Sequence, residues 1–185
     1  MTNNIQQMTV EAVELLQQLI KTPSVSRDEK AVADLMEQQM KQWGLTPKRV
    51  GNNLMLIGKH AEGKPTLLLN AHIDTVKPVS TWTRDPFTPT IEDRRLYGLG
   101  ANDCGGGLVS LLMVYRALCN EDLAYNLVYV ASAEEEVSGA NGFTLIREQL
   151  PPINVAIVGE PTGLQPAIAE KGLMVLDGEI AGKSG

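Results

Sequence analysis

The sequence predicts an α/β fold with a mixed, largely parallel sheet and helices on both of its faces. Three observations carry that expectation. Short runs that are apolar on nearly every residue, at 66–69, 127–131 and 155–158, suit strands covered on both sides. Between such runs lie stretches whose apolar residues recur at helical spacing. Strands that alternate with helices build βαβ units, and those units make parallel neighbours. With 185 residues, 43% of them apolar, the chain can bury a core without disulfides or a structural metal.

In chain order, residues 9–21 place Val13, Leu16, Leu19 and Ile20 on one helical face. That helix stops before Thr22-Pro23, because a residue preceding proline disfavours helical backbone. Ser26-Arg27-Asp28-Glu29 reads as a capping box opening a second helix. Its apolar face runs through Val32, Leu35, Met36, Met40 and Trp43 until Gly44 closes it, and should pack on the sheet. Strands follow at 53–57 and 66–69, separated by Gly58 and Gly63-Lys64-Pro65. A helix over 108–118 carries Leu108, Leu111, Leu112, Tyr115 and Leu118, and precedes the strand at 127–131. A helix over 143–150 ends at Pro151-Pro152, a central strand follows at 155–158, and 172–181 reads as a further strand. There is no repeat, low-complexity tract or linker.

The charge balance narrows the function classes. Lys and Arg number 16 against 22 Asp and Glu, for a net charge of −6, and no basic run exceeds a pair. Nucleic acids and anionic membranes both need a dense positive field, so neither is an expected partner. Met1 to Gln7 shows no basic region followed by an apolar stretch, and no apolar run approaches a membrane span, which predicts a cytoplasmic protein. Cys104 and Cys119 can make neither a disulfide framework nor a four-cysteine zinc site, and read as reduced, half-buried thiols. Two nucleotide signatures fail on spacing. Asp177 stands where the phosphate loop ending in Gly182-Lys183-Ser184 needs glycine, and Asp103 stands where a dinucleotide fingerprint from Gly98 needs Gly or Ala.

Ligands of open α/β sheets bind beyond the carboxyl ends of the strands, so the residues there matter most. They are acidic with one imidazole: His72 and Asp74 after one strand, Asp103 after Gly98-Leu99-Gly100, Glu134-Glu135-Glu136 after another, and Glu160 after the last. Each motif alone has an ordinary reading, a solvated histidine or a polar loop. Together they would place several carboxylates at one sheet edge, whose repulsion a divalent cation offsets. One imidazole with carboxylates suits zinc, cobalt or manganese better than calcium or magnesium. The spacing of His72 and Asp74 puts both side chains on one side of an extended chain, so Asp74 can accept the second N–H of His72. His60, in a polar loop, reads as exposed and idle.

Five segments stand in a telling order: His72-Ile73-Asp74-Thr75-Val76-Lys77-Pro78, the stretch from Trp82 to Asp85-Pro86-Phe87, Leu96-Tyr97-Gly98-Leu99-Gly100-Ala101-Asn102-Asp103, Ser132-Ala133-Glu134-Glu135-Glu136 and Val158-Gly159-Glu160-Pro161-Thr162. In order and spacing they resemble the co-catalytic zinc amidohydrolase family of acetylornithine deacetylases, succinyl-diaminopimelate desuccinylases, aminoacylases and glutamate carboxypeptidases. The resemblance implies a zinc-exopeptidase-like catalytic domain with two divalent metals, zinc first and cobalt or manganese as other fits. His72 and Glu136 would bind one metal, Asp103 would bridge both, and Glu160 would bind the second. Glu135 would be the general base, and Asp74 the carboxylate that orients His72. The implied reaction is hydrolysis of a small N-acyl amino acid or dipeptide, releasing a carboxylate and a free amine. Ala169-Glu170-Lys171-Gly172 and Glu160 look most like acetylornithine deacetylase or the desuccinylases, hence arginine or lysine biosynthesis.

Two departures accompany the likeness. Asp103-Cys104-Gly105-Gly106 replaces the family's Asp-Met-Lys-Gly, and Cys104 reads as a small buried residue in preference to a soft ligand. The family also carries a late histidine and a lid that dimerises and supplies another. Residues 1–175 therefore read as the N-terminal part of the catalytic domain, and 176–185 as the start of a connection to such a lid. The 185-residue stretch alone is expected to have weak or no activity, its full-length parent to be a homodimer. From another class, a non-catalytic metal-binding remnant also fits these residues.

Overall fold

The computed structural model describes residues 2–169 together with 172, 176, 178 and 182. Apolar periodicity becomes four helices, α1 (Thr2–Lys21), α2 (Lys30–Gln42), α3 (Gly106–Leu118) and the single turn α4 (Phe143–Ile146), which runs on into a 3-10 turn at Arg147–Gln149. The strands are β1 (Lys48–Val50), β2 (Asn53–Ile57), β3 (Thr66–His72), β4 (Thr90–Glu92), β5 (Arg95–Tyr97), β6 (Asn126–Ser132) and β7 (Val155–Val158). Five of them form one sheet in the order β1-β2-β6-β3-β7, and β4 pairs with β5 in a separate hairpin. β3 runs parallel to both β6 and β7, whereas β2 is antiparallel to β6 and β1. The expected mixed, largely parallel sheet is thus present, with β2 alone reversed.

Alternation along each strand sends side chains to opposite faces, and the two faces are covered unequally. Leu54, Leu56, Leu69, Ala71, Leu127, Tyr129 and Ala131 meet Leu15 and Leu19 of α1, Met36 and Met40 of α2, and Leu108 and Leu112 of α3. On the other face Met55, Leu68, Val128 and Val130 lie under Ile146 of α4. Every residue of β6 is buried, as a strand between two neighbours and two helical layers should be. Burying each such Leu or Met contributes about 1.5–3 kcal/mol. The Tyr129 hydroxyl is satisfied by donating to the Leu108 carbonyl at 3.1 Å, which ties β6 to α3.

Several expectations need correction. α1 begins at Thr2 rather than 9, because polar residues continue the turn through bonds such as Thr9 Oγ1 to the Ile5 carbonyl at 2.8 Å. No side-chain cap opens α2; the Ser26 hydroxyl instead donates to Asp74 at 2.7 Å. Its C-terminal end is as expected, with Gly44 at φ 75° and its N–H on the Lys41 carbonyl. β7 is an edge strand and not a covered central one. Val155, Ile157 and Val158 are about half exposed, and among the described residues no strand pairs with its outer side. The strand expected over 172–181 rests on residues outside those described. Both cysteines are free thiols, and no helix among the described residues is long and apolar enough to cross a membrane.

Candidate metal centre

Parallel strands deliver their carboxyl ends to one edge, and here that edge gathers the charged residues. β3 ends in His72, β6 runs into Ala133 to Glu136, and β7 runs into Gly159 and Glu160. Asp103 arrives on the turn Ala101–Gly105 that leads into α3, preceded by Gly100 at φ 73°. α3 starts hard against the β7 loop: a Cβ on Gly107 would lie 2.0 Å from the Gly159 carbonyl oxygen, so only glycine fits there.

His72 is 2% exposed and held from every side. Its Nδ1 lies 2.8 Å from the Asp74 backbone carbonyl and 3.4 Å from the Asp74 carboxylate. The expected contact with Asp74 is therefore closest through the main chain, with the carboxylate, which also serves other donors, farther off. One carboxylate oxygen accepts the Glu135 N–H at 3.0 Å, and the other accepts the Glu136 N–H at 3.1 Å together with the Ser26 hydroxyl. Nε2 of His72 faces the opening, 3.1 Å from Asp103 Oδ1 and 3.9 Å from Glu160 Oε1. Cys104 is buried as expected, and its thiol pairs with the His72 backbone, accepting the N–H at 3.1 Å and donating to the carbonyl at 3.4 Å.

Two groups of donors form around that imidazole. His72, Asp103 and Glu136 offer one set of ligand atoms within 4.8 Å of one another, and His72, Cys104 and Glu160 offer a second. Glu135 belongs to neither set and stands exposed at the rim. Three carboxylates thus lie around His72: Asp103 and Glu136 in one set, and Glu160 in the other with Cys104, while Glu135 stands outside both and Asp74 lies beneath.

The electrostatics follow from this crowding. Burial would depress the His72 imidazolium, but hydrogen bonds to Asp74, Cys104 and Asp103 outweigh it and raise its pKa to about 12. Burial would likewise raise the Asp74 carboxyl. Hydrogen bonds from His72, Ser26 and the amides of Glu135 and Glu136 override that and hold it below the usual aspartate range. Glu136 and Glu160 go the other way, each pushed up by burial and then by neighbouring carboxylates, Asp103 and Glu135 among them. An imidazole ringed by mutually repelling carboxylates fits a divalent cation, which would lower that repulsion. The Cys104 thiol, raised by burial and engaged with the backbone, is the poorest donor of the set.

Supporting residues lie beneath the loop, and of these the sequence placed only Glu134 near the site, as one of the acidic triplet. Glu29 is fully buried, Glu134 is 6% exposed, and Asn53 is fully buried. Glu134 spends its carboxylate on the backbone N–H and side-chain amide of Asn141 at 3.2 and 2.8 Å. Its neighbours in the triplet are the ones left to face the opening. The nearest sequence signal was a glutamate placed just before an apolar helical face, which reads equally well as a cap.

Fold and donor set together define an α/β domain with a candidate site for divalent cations at its strand ends. Residues 68–171 match Peptidase family M20/M25/M40, and the chain belongs to that family. It is 36% identical over 189 residues to the acetylornithine deacetylase of Pectobacterium carotovorum, covering 94% of this chain and 49% of that relative. It is 41% identical over 137 residues to the acetylornithine deacetylase of Pectobacterium atrosepticum, covering 72% of this chain and 35% of that one. The chain thus spans half or less of the length of these relatives. Among solved structures, an M20 family metallo-carboxypeptidase from Sulfolobus solfataricus superposes with a TM-score of 0.65 at 24% identity, over 80% of this chain and 37% of that one.

Proposed function

We propose that the whole protein is a metal-dependent amidohydrolase that cleaves small N-acyl amino acids in the cytoplasm, with N-acetylornithine as its substrate. The observation that carries this reading is the convergence of His72, Asp103, Glu136 and Glu160 at one sheet edge, with Glu135 free beside them. The relatives' name, acetylornithine deacetylase, supports the choice of acyl amino acid. His72 and Glu136 would hold one divalent cation, zinc in the first instance, Glu160 a second, and Asp103 both. When bound, such cations supply Lewis acidity, which acidifies water and polarises an amide carbonyl.

The protein's own groups do the rest. Asp74 fixes the His72 ring through its backbone carbonyl and fixes Glu135 and Glu136 through their amides. Glu135, exposed and outside both donor sets, takes the proton of the attacking water and returns it to the departing amine. Residues 1–175 would supply this part of the catalytic domain, and 176–185 would lead toward a lid.

The test compares the whole protein with Glu135→Gln on N-acetylornithine, N-succinyl-diaminopimelate and a dipeptide. N-acetylornithine should give the highest kcat/KM. Glu135→Gln should lower kcat by about 10² to 10⁴ while metal content stays the same. Near-normal turnover by Glu135→Gln would overturn its role, and a preference for either other substrate would overturn the specificity.

A further inference from the structure

We infer that Glu29 is a positioning residue that sets the place of Glu135, a role that rests on reading Glu135 as the base. From Ala133 to Glu136, four successive backbone N–H groups each point at a buried side-chain acceptor. Asn53 takes Ala133 at 2.9 Å, Glu29 takes Glu134 at 3.3 Å, and Asp74 takes Glu135 and Glu136 at 3.0 and 3.1 Å. The main chain of this loop is therefore fixed residue by residue, immediately under the two side chains that face the opening. Glu134 itself sits at φ 54°, a left-handed conformation that a residue with a side chain keeps only where its surroundings over-determine it.

Glu29 is the acceptor with the least ordinary position. It is 0% exposed, and it lies 105 residues from the amide it receives. A buried carboxylate is costly unless its lone pairs are used, and here they are. Oε1 also accepts the Arg27 N–H at 2.6 Å, and Oε2 accepts the Asn52 side-chain amide at 3.0 Å. All three partners are donors, and among the described residues none of them is a charged side chain. A carboxylate accepts only, so it matches that set, whereas an amide would turn one N–H toward another. The segment bearing Glu29 is anchored in turn. Thr75 donates to the Ser24 carbonyl, Ser26 donates its N–H to the Thr75 carbonyl, and the Ser26 hydroxyl reaches Asp74. Residues 24–29 thus form a bracket that links the end of β3 to the loop after β6, with Glu29 as its far contact.

The experiment compares the whole protein with Glu29→Gln, Glu135→Gln and the double variant, assayed with N-acetylornithine. Amide hydrogen exchange of the peptide spanning 133–137 is followed in parallel. Glu29→Gln should lower kcat by roughly 10-fold to 100-fold, the cost of a misplacement of about 1 Å, with KM changed less than about threefold. In the Glu135→Gln background it should add less than about a twofold further loss, because a residue acting through Glu135 has nothing left to position. Exchange over 133–137 should quicken. Unchanged exchange overturns the inference whatever the activity, and so do losses that multiply in the double variant. If Glu135→Gln alone stays active, the base assignment fails, while the exchange result still decides whether Glu29 holds the loop. Should Glu29→Gln not fold, Asn52→Ala removes one of its partners. It should lower kcat severalfold only when Glu135 is present, and an unchanged kcat overturns the inference.

Discussion

On one side of the cleft His72 and Asp74 are 2% and 1% exposed and ringed by hydrogen bonds, while opposite them the Asp103 side chain is 57% exposed and that of Glu160 35%. The first side is continuous with the sheet and core. Its polar groups are held by hydrogen bonds to the segment at 24–29, to the loop after β6 and to Cys104. The second side is a set of carboxylates carried on turns, which touch the first side through His72 Nε2. The contrast separates two properties that a site usually mixes, stability on the buried side and ligand capture on the open one.

The sharpest way to break that division is Asp74→Ala in the whole protein. It strands the Ser26 hydroxyl and the Glu135 and Glu136 amides, and should cost about 3–5 kcal/mol of unfolding free energy in urea titrations. A loss below about 1 kcal/mol would show that the buried side is not a structural unit. On the open side, Asp103→Asn should weaken zinc binding by about 10²-fold or more in competition titrations. Its unfolding free energy without zinc should stay within about 0.5 kcal/mol, and a larger change would erase the distinction. Deeper in the core, Tyr129→Phe removes the bond to the Leu108 carbonyl and should cost about 1 kcal/mol with zinc affinity unchanged.

The smallest effect belongs to Glu11 and Arg116, which join α1 to α3 away from both sides of the cleft. The Arg116 guanidinium, helped by Gln7, holds the Glu11 carboxyl below its usual range. A carboxyl lowered on folding stabilises the protein above its unfolded value of about 4.3, and that stabilisation is lost as pH falls through the lower folded value. Glu11→Gln should therefore cost less than about 1 kcal/mol near neutral pH and flatten the acid limb of the stability profile. An unaltered acid limb would assign that limb to other carboxyls.

Part of this was legible in the sequence because local pattern and function coincide. The apolar runs that became β3 and β6 announced themselves, and the residues beyond them read as an acidic edge with one imidazole, but singling out His72, Asp103, Glu136 and Glu160 within that edge took the family resemblance. What stayed hidden depends on distant partners. Ser26 and Glu29 look like a helix cap because their spacing is that of one, yet their acceptor and donor lie 48 and 105 residues away. β7 reads as a covered strand from its composition, since an edge and a centre differ in neighbours and not in residues. β1, β4 and β5 are three residues each, too short to show a period, and the β4–β5 turn relies on Asp93 and Arg94 at positive φ.

The contact between Gly107 and the Gly159 carbonyl gives the cleft a fixed gauge. Side chains can rotate out of a crowded place, but two backbones in contact cannot, so the approach of the start of α3 to the loop bearing Glu160 is set by the absence of a side chain at position 107. The interval between Asp103 and Glu160 is thereby inherited from the main chain, and a single methyl group at position 107 would change it.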